Sequence, residues 1–134
     1  VSRVLGVDYG TKRVGLAVSD ALRLTASPHS VVSPSSIVDV VANLVKELGI
    51  GTIVVGLPTG LSGGEGASAS EARRLAEELG TATGVEVVLL DERFTSRMAD
   101  QKLIESGKTR RARRETVDKV AAAIILQDYL DNQR

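Results

Sequence analysis

Three acidic residues stand where a carboxylate is either costly or useful. Asp8 ends the apolar run Leu5-Gly6-Val7, and a charge in such a stretch is expensive to desolvate unless it is paired or binds a cation. Its local alternative is to close the following turn through its side chain, as Asp beside Gly often does. Glu92 follows Leu89-Leu90-Asp91, at the carboxyl end of an expected strand, where ligands of open α/β sheets collect. The alternative there is a surface ion pair with Arg93 or Arg97, of small consequence for stability. Asp118 comes near the start of the last apolar-periodic segment, where an acid also suits a helix dipole. One shared cation site accounts for all three acids more economically than three separate local roles.

Composition narrows the chemistry. The 134 residues contain no Cys and one His, which removes disulfides, thiolate zinc sites and cysteine nucleophiles, so any metal must sit on carboxylates. His29 follows Pro28 and is expected to be structural or exposed. With two Tyr, one Phe and no Trp, the chain lacks the rings of a base-stacking reader of single strands. The formal net charge is +0, so global charge gives no support for nucleic-acid binding. The distribution differs: residues 102–119 hold seven basic side chains (Lys102, Lys108, Arg110, Arg111, Arg113, Arg114, Lys119) against three acidic ones (Glu105, Glu115, Asp118). Such a run is either a solvated connector or a phosphate-binding segment. No apolar run approaches the ~20 residues of a membrane span. The opening Val1-Ser2-Arg3 leads into a strand rather than a signal peptide, and the expectation is a soluble cytoplasmic protein.

These residues need elements to hold them. Residues 3–8 and 13–18 are Val- and Leu-rich runs separated by Tyr9-Gly10-Thr11-Lys12, which predicts a hairpin. A third strand is expected around residues 25–33, with Pro28 confining it to an edge or to the strand start. Ile37, Val38, Val40, Val41, Leu44, Val45 and Leu48 recur at helical spacing, with Ser35 or Ser36 available as cap and Gly49 as stop. Ile53-Val54-Val55-Gly56-Leu57 reads as a central strand buried on both faces. A Gly- and Ser-rich loop over 61–70 precedes a second helix, residues 85–90 read as another buried strand, 96–105 as a helix, 106–114 as a flexible basic connector, and 117–130 as a closing helix. The crossovers require parallel strands. The expected fold is a single α/β domain spanning residues 1–134, its five-stranded mixed sheet flanked by helices.

Four segments carry a resemblance to a known family. Gly6-Val7-Asp8-Tyr9-Gly10-Thr11-Lys12-Arg13-Val14-Gly15, Val54-Val55-Gly56-Leu57-Pro58, Asp91-Glu92-Arg93-Phe94-Thr95-Ser96, and Val117-Asp118 before Ala121-Ala122-Ala123-Ile124-Ile125-Leu126 resemble, in order and spacing, the motifs of the YqgF/RuvX family. The resemblance implies an RNase H-like fold with strand order 3-2-1-4-5. It also implies either maturation of precursor 16S rRNA or resolution of four-way DNA junctions, with Asp8, Glu92 and Asp118 as catalytic and metal-binding acids. It selects Glu92 over Asp91, while Glu115, three residues before Asp118, stays open as a fourth ligand. The chain departs from RuvC-type resolvases at Leu57-Pro58-Thr59, where no carboxylate ends the strand.

The implied chemistry is two-metal hydrolysis of a phosphodiester by Mg²⁺ or Mn²⁺, ions that prefer carboxylate oxygens and substrate phosphates. Lys12, Arg13, Arg93, Lys108, Arg110, Arg111, Arg113 and Arg114 would hold the phosphate backbone and give affinity without sequence readout. Symmetric cutting of a junction would require a two-fold homodimer. Two rivals remain. Asp8-Tyr9-Gly10-Thr11 also fits the phosphate loop of actin-like ATPases, but those clamp nucleotide between two domains and this length holds one. A catalytically silent nucleic-acid or ribosome-associated adaptor would keep the fold without the acids, all three of which are present.

Overall fold

The computed structural model describes residues 2–10, 12–57, 67–91 and 110–133, with side chains for 2–10, 12–56, 70–90 and 120–133. Its strands are Arg3–Tyr9 (β1), Val14–Ser19 (β2), Ala26–Val32 (β3), Ile50–Leu57 (β4) and Glu86–Asp91 (β5), and its helices are Ile37–Leu48 (α1), Ala67–Thr83 (α2) and Arg110–Asn132 (α3). The strands form one sheet in the order β3-β2-β1-β4-β5. β1 pairs antiparallel with β2 and parallel with β4, and β4 pairs parallel with β5. The carboxyl ends of β1, β4 and β5 therefore share one edge of the sheet, the edge at which open α/β sheets place ligands.

Alternation along the strands divides the core between two faces. Leu5, Val7, Val14, Leu16, Ile53 and Val55 pack with α1 and α2 on one side, whereas Val4, Ala17 and Val54 pack with Ala122, Ile125, Leu126 and Leu130 of α3 on the other. Gly6 belongs to the α3 face, and a Cβ there would lie 2.9 Å from Leu126 Cβ and 3.0 Å from the Ala122 carbonyl oxygen. Its missing side chain lets α3 approach β1. The far end of that helix is tied down by Gln127, which accepts a hydrogen bond from the Ala26 amide (2.9 Å) and donates one to the Leu24 carbonyl (3.1 Å).

Pro28 behaves as its chemistry requires. β3 is an edge strand, and its pairing with β2 shifts between Leu16 and Ala17, which face Ser30 and Pro28, so His29 is bulged out. Pro is tolerated at such a place because no ladder hydrogen bond is asked of its nitrogen. At the β2–β3 tip Asp20 Oδ1 accepts from the amides of Leu24 (2.7 Å) and Thr25 (3.2 Å), and these bonds hold its carboxyl below the usual carboxylate range. α1 ends as expected: Gly49 is left-handed at φ 68° and donates to the Val45 carbonyl.

Several boundaries differ from the sequence reading. α1 begins without a serine side-chain cap; a 3-10 turn over Pro34–Ser36 leads into it instead. α2 begins at Ala67, inside the expected loop, because Ala-Ser-Ala-Ser-Glu tolerates helix once the glycines end. α3 begins at Arg110, inside the expected connector: Arg and Ala are strong helix formers, and the run of charge masked that propensity. β5 is less buried than expected, since it is the second edge of the sheet and Leu89 is 37% exposed. The helix expected over 96–105 lies outside the described residues.

Candidate functional site

Asp8 is the point from which the site is built. It sits in the central strand near the shared carboxyl edge, and its side chain is buried, 8% exposed. By alternation it belongs to the same face as Val4 and Gly6, the face covered by α3. Its cross-strand partners are Gly15 on β2 and Gly56 on β4. Cross-strand partners share a face, so the transverse row through β2, β1 and β4 carries one side chain, the Asp8 carboxylate. One strand further out, Gly15 faces Val31 and Gly56 faces Leu90. The row thus reads Val31, Gly15, Asp8, Gly56, Leu90: an acid with a buried glycine on each side of it and apolar residues at the two ends.

Two residues toward the amino end, the corresponding row has the inverse pattern. Gly6 stands between Ala17 and Val54, both packed beneath α3. The apolar row supports the helix, while the row through Asp8 carries a carboxylate flanked by glycines.

α3 brings the second acid toward this row along its backbone. Ala122 stands over Gly6, and Gln127 is fixed near the amino end of β1, opposite the start of β3, so α3 runs antiparallel to β1. From Ala122 back to Asp118 is one helical turn, about 6 Å of rise; from Gly6 to Asp8 is two strand residues, about 6.7 Å. The two backbones advance together to the level of Asp8. Arg110, Arg111, Arg113, Arg114 and Glu115 occupy the first turns of the same helix, beyond that level.

The other expected residues fall as follows. Glu92, Arg93 and Lys108 lie outside the described residues. Position 91 ends β5, the strand whose Val88 and Leu90 pack beneath α3. Lys12 is exposed and Arg13 partly buried in the turn between β1 and β2. Gly10 in that turn is obligatory on steric grounds, since a Cβ would collide with the Arg13 carbonyl oxygen. His29 is exposed and bonded to Ser30 Oγ (2.9 Å), away from the carboxyl edge. Among the described residues no three His, Cys, Asp or Glu side chains converge as a metal-binding group.

Sequence reasoning missed two features. The glycine flanks of Asp8 emerge only from strand register, although both glycines lie in motifs already singled out. Tyr9, one residue beyond Asp8 and on the other face, donates a hydrogen bond to Glu71 Oε2 of α2 (3.1 Å). Partial burial, this bond and the Glu71 charge raise the Tyr9 hydroxyl above its ordinary pKa. With Pro34, Ile37, Arg74, Leu75 and Glu78 these residues line a cleft of about 230 Å³, separated from the Asp8 row by the sheet.

Comparison with known proteins agrees with this layout. The sequence matches the RuvX family, described as Holliday junction resolvase, over residues 2–132. A relative from Anaeromyxobacter sp. (strain Fw109-5), named as a candidate pre-16S rRNA nuclease, is 47% identical over 98% of both chains. One of the same name from Endomicrobium trichonymphae is 39% identical over 99% of this chain and 98% of its own. Among solved structures, T. thermophilus RuvC in complex with a Holliday junction superposes with a TM-score of 0.60 at 17% identity, covering 99% of this chain and 96% of that one. The fowlpox virus resolvase in its junction complex gives 0.59 at 12% identity over 98% of both. At these identities the two structures establish the shared fold.

Proposed function

We propose, from the premise that this chain belongs to the RuvX family, that it is an endonuclease which hydrolyses phosphodiester bonds in structured nucleic acid, with precursor 16S rRNA as substrate. The observation that carries this reading is the buried Asp8 carboxylate on the α3 face of the central strand, with glycine on both sides of it. A carboxylate at the carboxyl edge of the central strand stands where an open α/β sheet places its ligands, and it can help to hold a divalent cation. The donor chemistry suits Mg²⁺ or Mn²⁺, because the candidate ligands Asp8, Glu92 and Asp118 are all carboxylates and hard cations prefer oxygen. Such ions, when bound, would supply an activated water and offset charge on the departing oxygen.

The protein's own contribution is positioning. Asp8 is held by β1 between two paired strands, so it has little freedom to move with substrate. Asp118 is carried by a helix locked against β1 at Gly6 and against the β2–β3 hairpin at Gln127, and its backbone position at the level of Asp8 supports a shared site. Glu92 directly follows the end of β5, at the same edge of the sheet. Lys12, Arg13, Arg93, Lys108 and the arginines of the first turns of α3 would hold phosphates flanking the scissile bond. Because those contacts address the backbone, they position substrate without reading its sequence.

Precursor rRNA is preferred over junction DNA because the name shared by full-length relatives at 39–47% identity outweighs a fold likeness at 12–17%. The family description favours a second reading, resolution of four-way DNA junctions, which would require a two-fold homodimer to cut symmetrically. A cleavage panel decides between them: matched precursor 16S rRNA 5′-end fragments and immobile four-way DNA junctions, each with Mg²⁺ or Mn²⁺. Discrete cleavage of the RNA with intact junctions is expected. Paired symmetric nicks in the junction with intact RNA would establish the second reading.

A further inference from the structure

Tyr9 directly follows Asp8 on β1, and its side chain makes a contact that core packing alone does not require. By alternation the two side chains leave the strand on opposite faces, so Tyr9 joins the core beneath α1 and α2. A phenylalanine would fill that place equally well. The Tyr9 hydroxyl reaches further and donates a hydrogen bond to Glu71 Oε2 of α2 at 3.1 Å, joining residues 62 positions apart. Both side chains stand in the wall of the cleft of about 230 Å³. The strand ladder shows what this bond adds. Among the described residues, β1 pairs with β4 as far as Asp8 and Gly56, and with β2 one residue further, at Tyr9 and Val14. On the β4 side the last rung is therefore at Asp8 itself. Strand ends with few neighbours open most readily, and here the residue beyond that rung is held through its side chain, by the helix that follows β4 in the chain.

We propose that Tyr9, through its hydrogen bond to Glu71, is a positioning residue for phosphodiester cleavage: it fixes the end of β1 and so sets the direction in which Asp8 presents its carboxylate. The inference rests on the hydrolytic reading above. A planar peptide bond couples residues 8 and 9, so a twist of the strand end that carries the Tyr9 ring one way carries Asp8 the other way on the opposite face. Ring packing holds the strand against the core, and the hydroxyl bond restrains that twist. Its acceptor is a carboxylate, which makes it stronger than a bond between neutral groups. The sheet lies between the phenol and the Asp8 face, so Tyr9 acts through Asp8 and touches no reacting atom. A misplacement of about 1 Å at a reacting centre can cost on the order of 100-fold in rate. The effect of the tie is therefore read in the rate of cleavage, while substrate affinity, which rests on the proposed phosphate contacts elsewhere, is left alone.

The test is single-turnover cleavage of a precursor 16S rRNA 5′-end fragment and of a four-way DNA junction with Mn²⁺, across a range of protein concentrations, together with amide hydrogen exchange of the metal-free full chain. The wild type is compared with Tyr9→Phe, Glu71→Ala, Glu71→Gln, the double variant Tyr9→Phe/Glu71→Ala and, as a control, Glu77→Ala, an exposed position of α2 outside the cleft lining. Tyr9→Phe and Glu71→Ala should each lower the rate at saturation about tenfold, with the concentration for half-saturation unchanged. The double variant should be no slower than either, since one bond is lost in all three. Glu71→Gln keeps an acceptor oxygen and should retain most of the rate, and the control should match wild type. Exchange in Tyr9→Phe should quicken at residues 8–10 and stay unchanged at residues 4–6. A Tyr9→Phe rate equal to that of an active wild type, or losses that multiply in the double variant, would overturn the proposal. Weaker half-saturation at an unchanged rate, or faster exchange throughout the sheet, would overturn it too, by making the bond a general prop of the fold. A wild type that cleaves neither substrate would remove the hydrolytic reading and the proposal with it, an outcome distinct from an active wild type that Tyr9→Phe equals.

Discussion

At the residue scale, the site depends on which acids share the face of Asp8. The proposed rank order is that Glu92→Gln, the acid that the family resemblance selects, loses most cleavage, Asp91→Asn much less, and Glu115→Gln least. Single-turnover rates across a Mn²⁺ titration check this, since excess metal partly restores a lost ligand and does not restore a lost fold. If Asp91→Asn were the most damaging of the three, the strand register at the end of β5 would be wrong. Tyr9 offers a separate test. Its folded pKa is raised above the unfolded value of 10.0, so the folded state holds that proton more tightly. The resulting stability is fully present below pH 10 and is lost as pH rises through the folded pKa. The melting temperature of wild type should therefore fall more steeply above pH 10 than that of Tyr9→Phe, and parallel curves would show the Tyr9–Glu71 bond to be without consequence. Asp8 was legible in the sequence because a charge interrupts an apolar strand. Its glycine flanks were not, because register pairs residues seven and forty-eight positions away from it.

At the element scale, α3 carries Asp118, one of the three proposed acids, and packs closely against β1 at Gly6. Gly6→Ala places a methyl group against Leu126 and the Ala122 carbonyl, an overpacking change expected to cost about 1–3 kcal/mol. Urea denaturation should show the loss, and a variant as stable as wild type would mean that α3 has room to move. Gln127 matters at the other end: it bridges the helix to the hairpin through both amide atoms. Most elements were legible from periodicity, and Pro28 left two places for its strand, an edge or a strand start, of which β3 takes the edge. The amino end of α3 was not, because five basic residues in a row of ten suggested solvent rather than helix. The misreading had functional weight. Placing Arg110, Arg111, Arg113 and Arg114 on the helix that carries Asp118 gives them a rigid support that a flexible connector would not.

At the scale of the whole molecule, a chain of net charge +0 must bind a polyanion by local charge. Two edges of the molecule differ in this respect. The carboxyl edge receives the basic start of α3 and the Lys12–Arg13 turn, whereas α2, on the far face, presents Glu71, Glu77 and Glu78 with Arg73 and Arg74. Substrate is expected to lie along the former. Replacing Arg110, Arg111, Arg113 and Arg114 together by Ala should weaken binding regardless of sequence and lower the slope of log affinity against log salt by up to about 3. A slope equal to wild type would leave those arginines as solvated surface. The strand order 3-2-1-4-5 was available from the family resemblance, while the two crossovers by themselves required only that the strands they join be parallel. Among the described residues no helix is long and apolar enough to cross a membrane. The most direct test of the central claim is the single-turnover cleavage rate of a precursor 16S rRNA 5′-end fragment by wild type and Asp8→Asn, with Mn²⁺ and with chelator. Cleavage that requires Mn²⁺ and falls by at least roughly 100-fold in Asp8→Asn, more than the loss typical of an outer partner of a ligand, is the expected result. Equal rates for the two proteins, or cleavage undiminished by chelator, would contradict a metal-dependent site built on Asp8.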